Sequence, residues 1–265
     1  AGRIKKAMVN DPDFPQFEVL KFAAEGEQYK SGYLFPEMYG PDWYRTQRAT
    51  LGTYGAAGLM DCEPVVRGGN MLKTDGILKS EDMPEDVLWV RFWDLASTEK
   101  ERAGDDPDFT VGAKVAIKMI DDVPWMYIAD VRWCQAEAPA RNKMIVATAL
   151  ADGPEVWQTA EQVAGYKDAV TTLRDILKGR SIVHGQTCSK DKVIRASALE
   201  PAFEAGHVVM RKAWWNDHAI EELGQFPSGP HDDIVDAISG GYAKAEERAK
   251  SVGKMGNGLG RGAKG

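Results

Sequence analysis

The chain predicts an α/β domain, a mixed sheet flanked by helices, because strand-like stretches come first and helical and strand-like stretches then alternate. Three segments, 87–93, 110–119 and 125–133, are rich in Val, Ile, Trp, Tyr and Phe, and the second alternates Val111, Ala113, Val115 and Ile117 with Lys114 and Lys118. From residue 138 the period changes. Helical spacing over 138–151, 167–177, 192–205 and 217–226 is interleaved with strand-like runs at 156–160, 182–184 and 207–211, and a final helix starts near Asp232.

Before this core, residues 1–84 are rich in turns and aromatic residues, and they read as a connector with one helix over 42–51, where Trp43, Gln47 and Leu51 share a face. Gly68 and Gly69 interrupt the chain there. Short turns between the second and third strands predict a meander. The domain is expected over 85–247. The remainder, 248–265, carries five basic residues, no acidic ones and many glycines, so it is expected to be a disordered, solvated tail.

At 265 residues and 43% hydrophobic content the chain has enough apolar material for one large core. Its three cysteines, Cys62, Cys134 and Cys188, lack CxxC spacing, which indicates neither a zinc knuckle nor a disulfide framework. No apolar run approaches the roughly 20 residues a membrane helix needs, and the first residues lack a signal-peptide core, so a soluble intracellular protein is expected. The net charge of −7 disfavours nucleic acid only mildly, since local basic surface suffices for phosphates.

The chemistry starts from strand parity. Leu88, Val90, Phe92 and Asp94 share one strand face, so a carboxylate ends an otherwise apolar row. Such a charge is costly unless something pairs with it. Far downstream, His231-Asp232-Asp233-Ile234-Val235-Asp236 opens the final helix, with Asp233 and Asp236 at i and i+3 and Asp232 and Asp236 at i and i+4. An acidic helix start after the Pro227–Pro230 turn explains that segment alone equally well. Brought beside Asp94, the same carboxylates form a site for hard divalent cations, Mg²⁺ or Mn²⁺, and the chemistry of a metal-dependent phosphodiesterase. Lys190, Lys192 and Arg195 at one helix start, with Arg211 and Lys212 after a strand, are candidate phosphate contacts, each with plain surface solvation as the alternative. Asp130 is expected to face outward or to be paired.

WDLA at 93–96, DFT at 108–110, the stretch from Glu161 through AGYKD, KDKVIRASALEPAFEAGHV from Lys190, ELGQFPSGPHDDIVDAISGGY from Glu222 and LFPE at 34–37 together resemble the large terminase subunit of tailed bacteriophages. The resemblance covers about residues 85–245. It implies a ribonuclease H-like fold and an endonuclease that cuts concatemeric viral DNA in the host cell cytoplasm with two divalent ions. The partners implied are double-stranded DNA, a packaging ATPase domain, a small terminase subunit and the portal. No GxxxxGK[ST] phosphate loop occurs, so the chain is expected to be a nuclease-domain fragment.

Carried over residue by residue, the resemblance makes Asp94 the bridging ligand and Asp233 a ligand on the last helix, with Asp232 and Asp236 binding directly or through water. Glu161 matches the middle carboxylate. The strand before it departs from the usual apolar pattern at Gln158 and Thr159, which leaves Glu155 as the alternative. Asp108 would face the site from behind the ligands, or build a turn with Asp105 and Pro107. His231 would position a water, or cap the helix. Two rival readings share much of this pattern: a ribonuclease H-like Holliday-junction resolvase, and a non-catalytic DNA-binding or assembly module.

Overall fold

The computed structural model describes residues 21–62, 71–95, 109–161, 167–187 and 191–259. The chain divides into two compact units, 1–68 and 69–265. In the first, α1 (Pro41–Leu59) opens on a proline whose missing N–H costs nothing at a helix start. It runs past the expected residue 51 because Gly52, at φ 67, absorbs a kink no side-chain-bearing residue would accept cheaply. Tyr44, Ala56 and Met60 form its small core, with Tyr33 stacked on Tyr44 at 4.6 Å and Arg48 holding both Glu25 and Asp61.

The second unit is built on a seven-stranded sheet. In chain order its elements are β1 (Leu78–Ser80), β2 (Val90–Asp94), β3 (Thr110–Ile120), β4 (Val123–Cys134), α2 (Ala138–Asp152), β5 (Trp157–Glu161), α3 (Lys167–Ile176), β6 (Val183–Gln186), α4 (Lys192–Ala196), α5 (Glu200–Glu204), β7 (Val208–Arg211), α6 (Asn216–Gln225) and α7 (Asp233–Leu259). The strand order is β1-β7-β4-β3-β2-β5-β6. β2, β3 and β4 form the expected antiparallel meander, and every other pairing is parallel. All strands except β3 therefore point the same way. Among the described residues no helix is long and apolar enough to cross a membrane.

Three sequence expectations need correction. The second unit starts at Gly69 rather than near residue 85, because β1, too short and exposed to show a pattern, pairs with β7 in the register Leu78↔Val209. The single helix expected over 192–205 is two short ones, since Pro201 sits in the first turn of α5 and cannot donate into a continuous ladder. The last helix runs to Leu259, through residues assigned on composition to a disordered tail. Arg248 fastens the start of that segment: its Nη1 donates to the Trp89 carbonyl at 2.5 Å and its guanidinium lies 4.7 Å over the Trp157 ring.

Each face of the sheet has its own cover. Trp93, Leu95 and Ala160 pack with Ile145, Ala149, Val170 and Leu173 of α2 and α3. On the other face α7 lies directly on β2 and β3, and two adjacent glycines make that approach possible. A Cβ on Gly240 would meet the Phe92 ring at 2.5 Å, and one on Gly241 would meet Val115 at 3.0 Å.

Candidate active site

From β2 the chain moves to β3 and β4 on one side, and it later returns to place β5 on the other side of β2. The carboxyl ends of β2 and β5 thus flank a point where the strand order reverses, where open α/β sheets leave a crevice for ligands. Asp94 is the last residue of β2 and Glu161 the last of β5. Because Trp93 is in register with Ala160, the two acids stand level on neighbouring strands, about 4.8 Å apart. Trp93 and Ala160 face α2 and α3, so Asp94 and Glu161 face α7, and the Glu161 carboxylate acts on that of Asp94.

The position of α7 follows from the same parity. Asp233, Asp236 and Gly240 fall at i, i+3 and i+7, on one helix face. Gly240 rests on Phe92. Four residues back along the helix is about 6 Å, and two residues forward along β2 is about 7 Å, so Asp236 arrives near Asp94. Asp233 is buried, and its Oδ2 accepts from the backbone N–H of Phe109 at 3.1 Å, which ties the helix to the start of β3.

Charges at this corner are out of balance. Burial first, then the carboxylates of Asp236, Glu161 and Asp233, push the Asp94 carboxyl well above the usual carboxylate range. Asp236 is also raised by burial, although a hydrogen bond from Arg195 works against the shift. Arg195 reaches from α4 to Asp236 at 2.6 Å and to Glu161 at 3.5 Å, and Lys192, one turn earlier, pairs with Asp232. Among the described residues, then, Asp94, Glu161, Asp232, Asp233 and Asp236 meet two cations.

A surplus of oxygen donors without cysteine or a histidine cluster suits a hard divalent ion. The guanidinium between Glu161 and Asp236 already stands where positive charge is needed. Among the described residues no three His, Cys, Asp or Glu side chains are gathered closely enough to hold an ion as they stand.

Other residues singled out in the sequence fall in varied places. His231 packs edge-on against Phe109, ring centres 5.5 Å apart, beside Asp233. Glu155 precedes β5 and is exposed at the end of the strand opposite Glu161. Gln158, one source of that ambiguity, is polar for a local reason: it accepts from Trp93 Nε1 at 2.9 Å and donates to Asp152 at 3.1 Å. Asp130 is paired, with Arg91 at 2.8 Å and Arg132 at 3.0 Å. Arg211 and Lys212 are exposed at the same sheet end, but three strands away, about 14 Å from β2. Asp108 and Lys190 lie outside the described residues.

Sequence reasoning missed Glu222. This buried carboxylate on α6 accepts from Ile234 N at 2.6 Å and Val235 N at 3.3 Å, so it caps the helix that carries Asp233 and Asp236. Burial pushes it up to about 7, against those two hydrogen bonds and with help from Asp233 and Asp232. A signal was present, because Ala219, Glu222, Leu223 and Phe226 form one helical stripe, and a glutamate in an apolar stripe is the helical counterpart of Asp94 in its strand.

Among solved structures, the large terminase nuclease of thermophilic phage G20c matches at 15% identity and TM-score 0.46, covering 66% of this chain and 98% of that one. The Thermus phage P74-26 large terminase nuclease domain matches at 14% and 0.42, covering 68% and 96%. That of bacteriophage SPP1 with bound Mn matches at 10% and 0.42, covering 65% and 98%. No match was found among curated proteins. The family model described as the terminase RNaseH-like domain matches residues 91–245, a span that starts within β2, ends within α7 and contains every carboxylate of the corner. With its mixed seven-stranded sheet and flanking helices of ribonuclease H-like type, the chain belongs to the terminase RNaseH-like domain family.

Proposed function

We propose that the chain is a metal-dependent DNA endonuclease that cuts concatemeric viral DNA during genome packaging by two-metal phosphodiester hydrolysis. One observation carries this reading: Asp94, Glu161, Asp233 and Asp236, from three elements far apart in sequence, share one electrostatic environment at the carboxyl ends of β2 and β5. Hydrolysis of a phosphodiester builds negative charge on the attacking and leaving oxygens, and a pair of Mg²⁺ or Mn²⁺ ions about 4 Å apart would lower the pKa of a water and stabilise the departing 3′ oxygen.

Within that scheme Asp94, crowded by the carboxylates of Asp236, Glu161 and Asp233, would be the ligand the ions share. Glu161 flanks it from β5, and Asp233 and Asp236 flank it from α7. Asp232, paired with Lys192, stands at the rim and contributes directly or through water. His231 would orient a water beside Asp233. Arg211 and Lys212 offer exposed positive charge along the same end of the sheet, where a duplex leaving the carboxylates would run. Asp108 and Lys190 are retained as candidates by sequence alone. The partners proposed are double-stranded DNA, a packaging ATPase domain, a small terminase subunit and the portal, in the host cell cytoplasm, with residues 21–62 as part of a connector.

Supercoiled plasmid incubated with Mn²⁺ tests the reading. The wild-type chain is expected to nick and linearise it, and Asp94→Ala and Asp233→Ala are expected to abolish cleavage. Activity that survives both substitutions removes the site. A strong preference for four-way junctions over linear duplex would point to a resolvase instead.

A further inference from the structure

Arg195 belongs to the carboxylate corner in a way the proposed nuclease chemistry does not use. It is 18% exposed, it sits on a five-residue helix, and its guanidinium joins a carboxylate of β5 to one of α7. We infer that Arg195 is an internal counter-cation that competes with a divalent ion for Glu161 and Asp236, so that loading the site requires its guanidinium to be displaced. The inference rests on the reading of these carboxylates as metal ligands.

Geometry supports displacement rather than permanent pairing. Arg91, on the opposite face of β2, shows what a permanent pair looks like here. It is 1% exposed, meets Asp152 through two nitrogens at 2.5 and 2.9 Å, and adds Asp130 at 2.8 Å and the Gly112 carbonyl at 3.0 Å. Arg195 meets Asp236 and Glu161 through one nitrogen each, with the Glu161 contact stretched to 3.5 Å, and it remains partly open to water. Bidentate geometry is the stronger and more selective arrangement.

Charge also favours exchange. A single positive charge is shared between Glu161 and Asp236, whereas a dication offers twice the charge in a smaller volume to the same oxygens. Lys192 and Arg195 lie at i and i+3 on α4, and both face carboxylates of the corner. Release of Arg195 would leave Lys192 on Asp232 and keep α4 anchored at the rim. An ion that binds only the arginine-released state has its apparent affinity lowered by the fraction of molecules in that state. Removing the guanidinium should therefore tighten metal binding, the opposite of what loss of a supporting residue would do.

The test is a calorimetric Mn²⁺ titration without DNA, on the wild type, Arg195→Gln, Arg195→Lys, Asp94→Asn and Lys143→Gln. Arg195→Gln is expected to lower the Mn²⁺ Kd about tenfold. It should also melt at a lower temperature without metal and show a larger rise on Mn²⁺ addition. Arg195→Lys should fall between it and the wild type. Lys143→Gln, which removes an exposed charge from α2 on the other face of the sheet, should match the wild type. An unchanged or higher Kd in folded Arg195→Gln, with the wild type binding normally, overturns the counter-cation role alone. Mn²⁺ binding that Asp94→Asn leaves intact overturns the metal-site reading beneath it. Should Arg195→Gln fail to fold, the wild type decides: the guanidinium NMR signal missing from Arg195→Lys is expected to shift on Mg²⁺ titration, and a signal that saturating Mg²⁺ leaves unmoved counts against the inference.

Discussion

Strand β2 buries charge on both of its faces, and the two faces solve the problem differently. On the α2 side, Arg91 is matched by Asp152 and Asp130, with Lys114 3.3 Å from Asp152. Burial pushes Asp152 upward, but the hydrogen bond and charge of Arg91, aided by Lys114, outweigh it and hold the carboxyl below its ordinary value. On the α7 side Asp94 is driven the other way by burial and by its own acidic neighbours. Balanced burial of charge marks architecture, whereas an excess of one sign maintained against its own repulsion marks a place where something of the opposite sign must arrive.

The largest expected effects come from exchanging one carboxylate on each face. Asp94→Asn should reduce Mn²⁺-dependent plasmid cleavage by about 10³-fold or more, because the proposed bridging ligand loses its charge. Without metal it should melt no lower than the wild type at pH 8, since a repelling charge has been removed. Asp152→Asn should do the reverse, costing about 3–5 kcal/mol of stability because Arg91 is left buried with too little negative charge, while cleavage per folded molecule persists. Paired melting curves and cleavage rates check both. If the two variants destabilise equally, the contrast between the faces is wrong.

A smaller effect tests how the α7 face is assembled. Gly240→Ala puts a methyl group within 2.5 Å of the Phe92 ring, so the helix must rise or the ring must turn. The expected cost is about 1–3 kcal/mol, as for other overpacked cores. Cleavage should fall further than stability does, because Asp233 and Asp236 ride on the displaced helix. Adding Phe92→Leu makes room and should restore much of both. A Gly240→Ala variant with wild-type melting and cleavage would show that helix depth does not set the geometry.

Much of this arrangement was legible in the sequence because it obeys short-range periods. Alternation put Asp94 on the apolar face of its strand, and helical spacing put Asp233 and Asp236 on one face of theirs, so their meeting needed only the helix to cover the sheet. The same rules left Glu161 and Glu155 open, since both flank one strand and only the register of β5 against β2 separates them. β1 was invisible because three residues with two exposed carry no pattern. In the sequence alone Arg195 resembles a phosphate contact, because a basic residue at a helix start looks solvated until the acids it faces are known. Glycine content hides the end of the last helix, because the tertiary anchor at Arg248 leaves no mark in composition. In each case the missing information was a contact between distant segments.

The smallest effect concerns Glu222, the buried acid that serves the α7 face from α6. Its ordinary value is 4.5 and in the fold it is raised to about 7. Between those values the folded chain holds a proton that the unfolded chain has lost, so this group's contribution to stability is full below pH 4.5 and declines as pH rises to about 7. The total is at most about 3 kcal/mol. Glu222→Gln keeps an oxygen for the Ile234 and Val235 N–H groups but carries no such slope. Its melting temperature relative to the wild type should therefore climb from pH 5 to pH 7.5 and level off above. Glu222→Ala, which also leaves the α7 start uncapped, should lie about 1 kcal/mol below Glu222→Gln at any pH and lower cleavage with it. A Gln variant that loses ground as pH rises would mean that the helix terminus stabilises the Glu222 carboxylate more than burial opposes it, and that the α7 corner tolerates one more negative charge than its crowding implies.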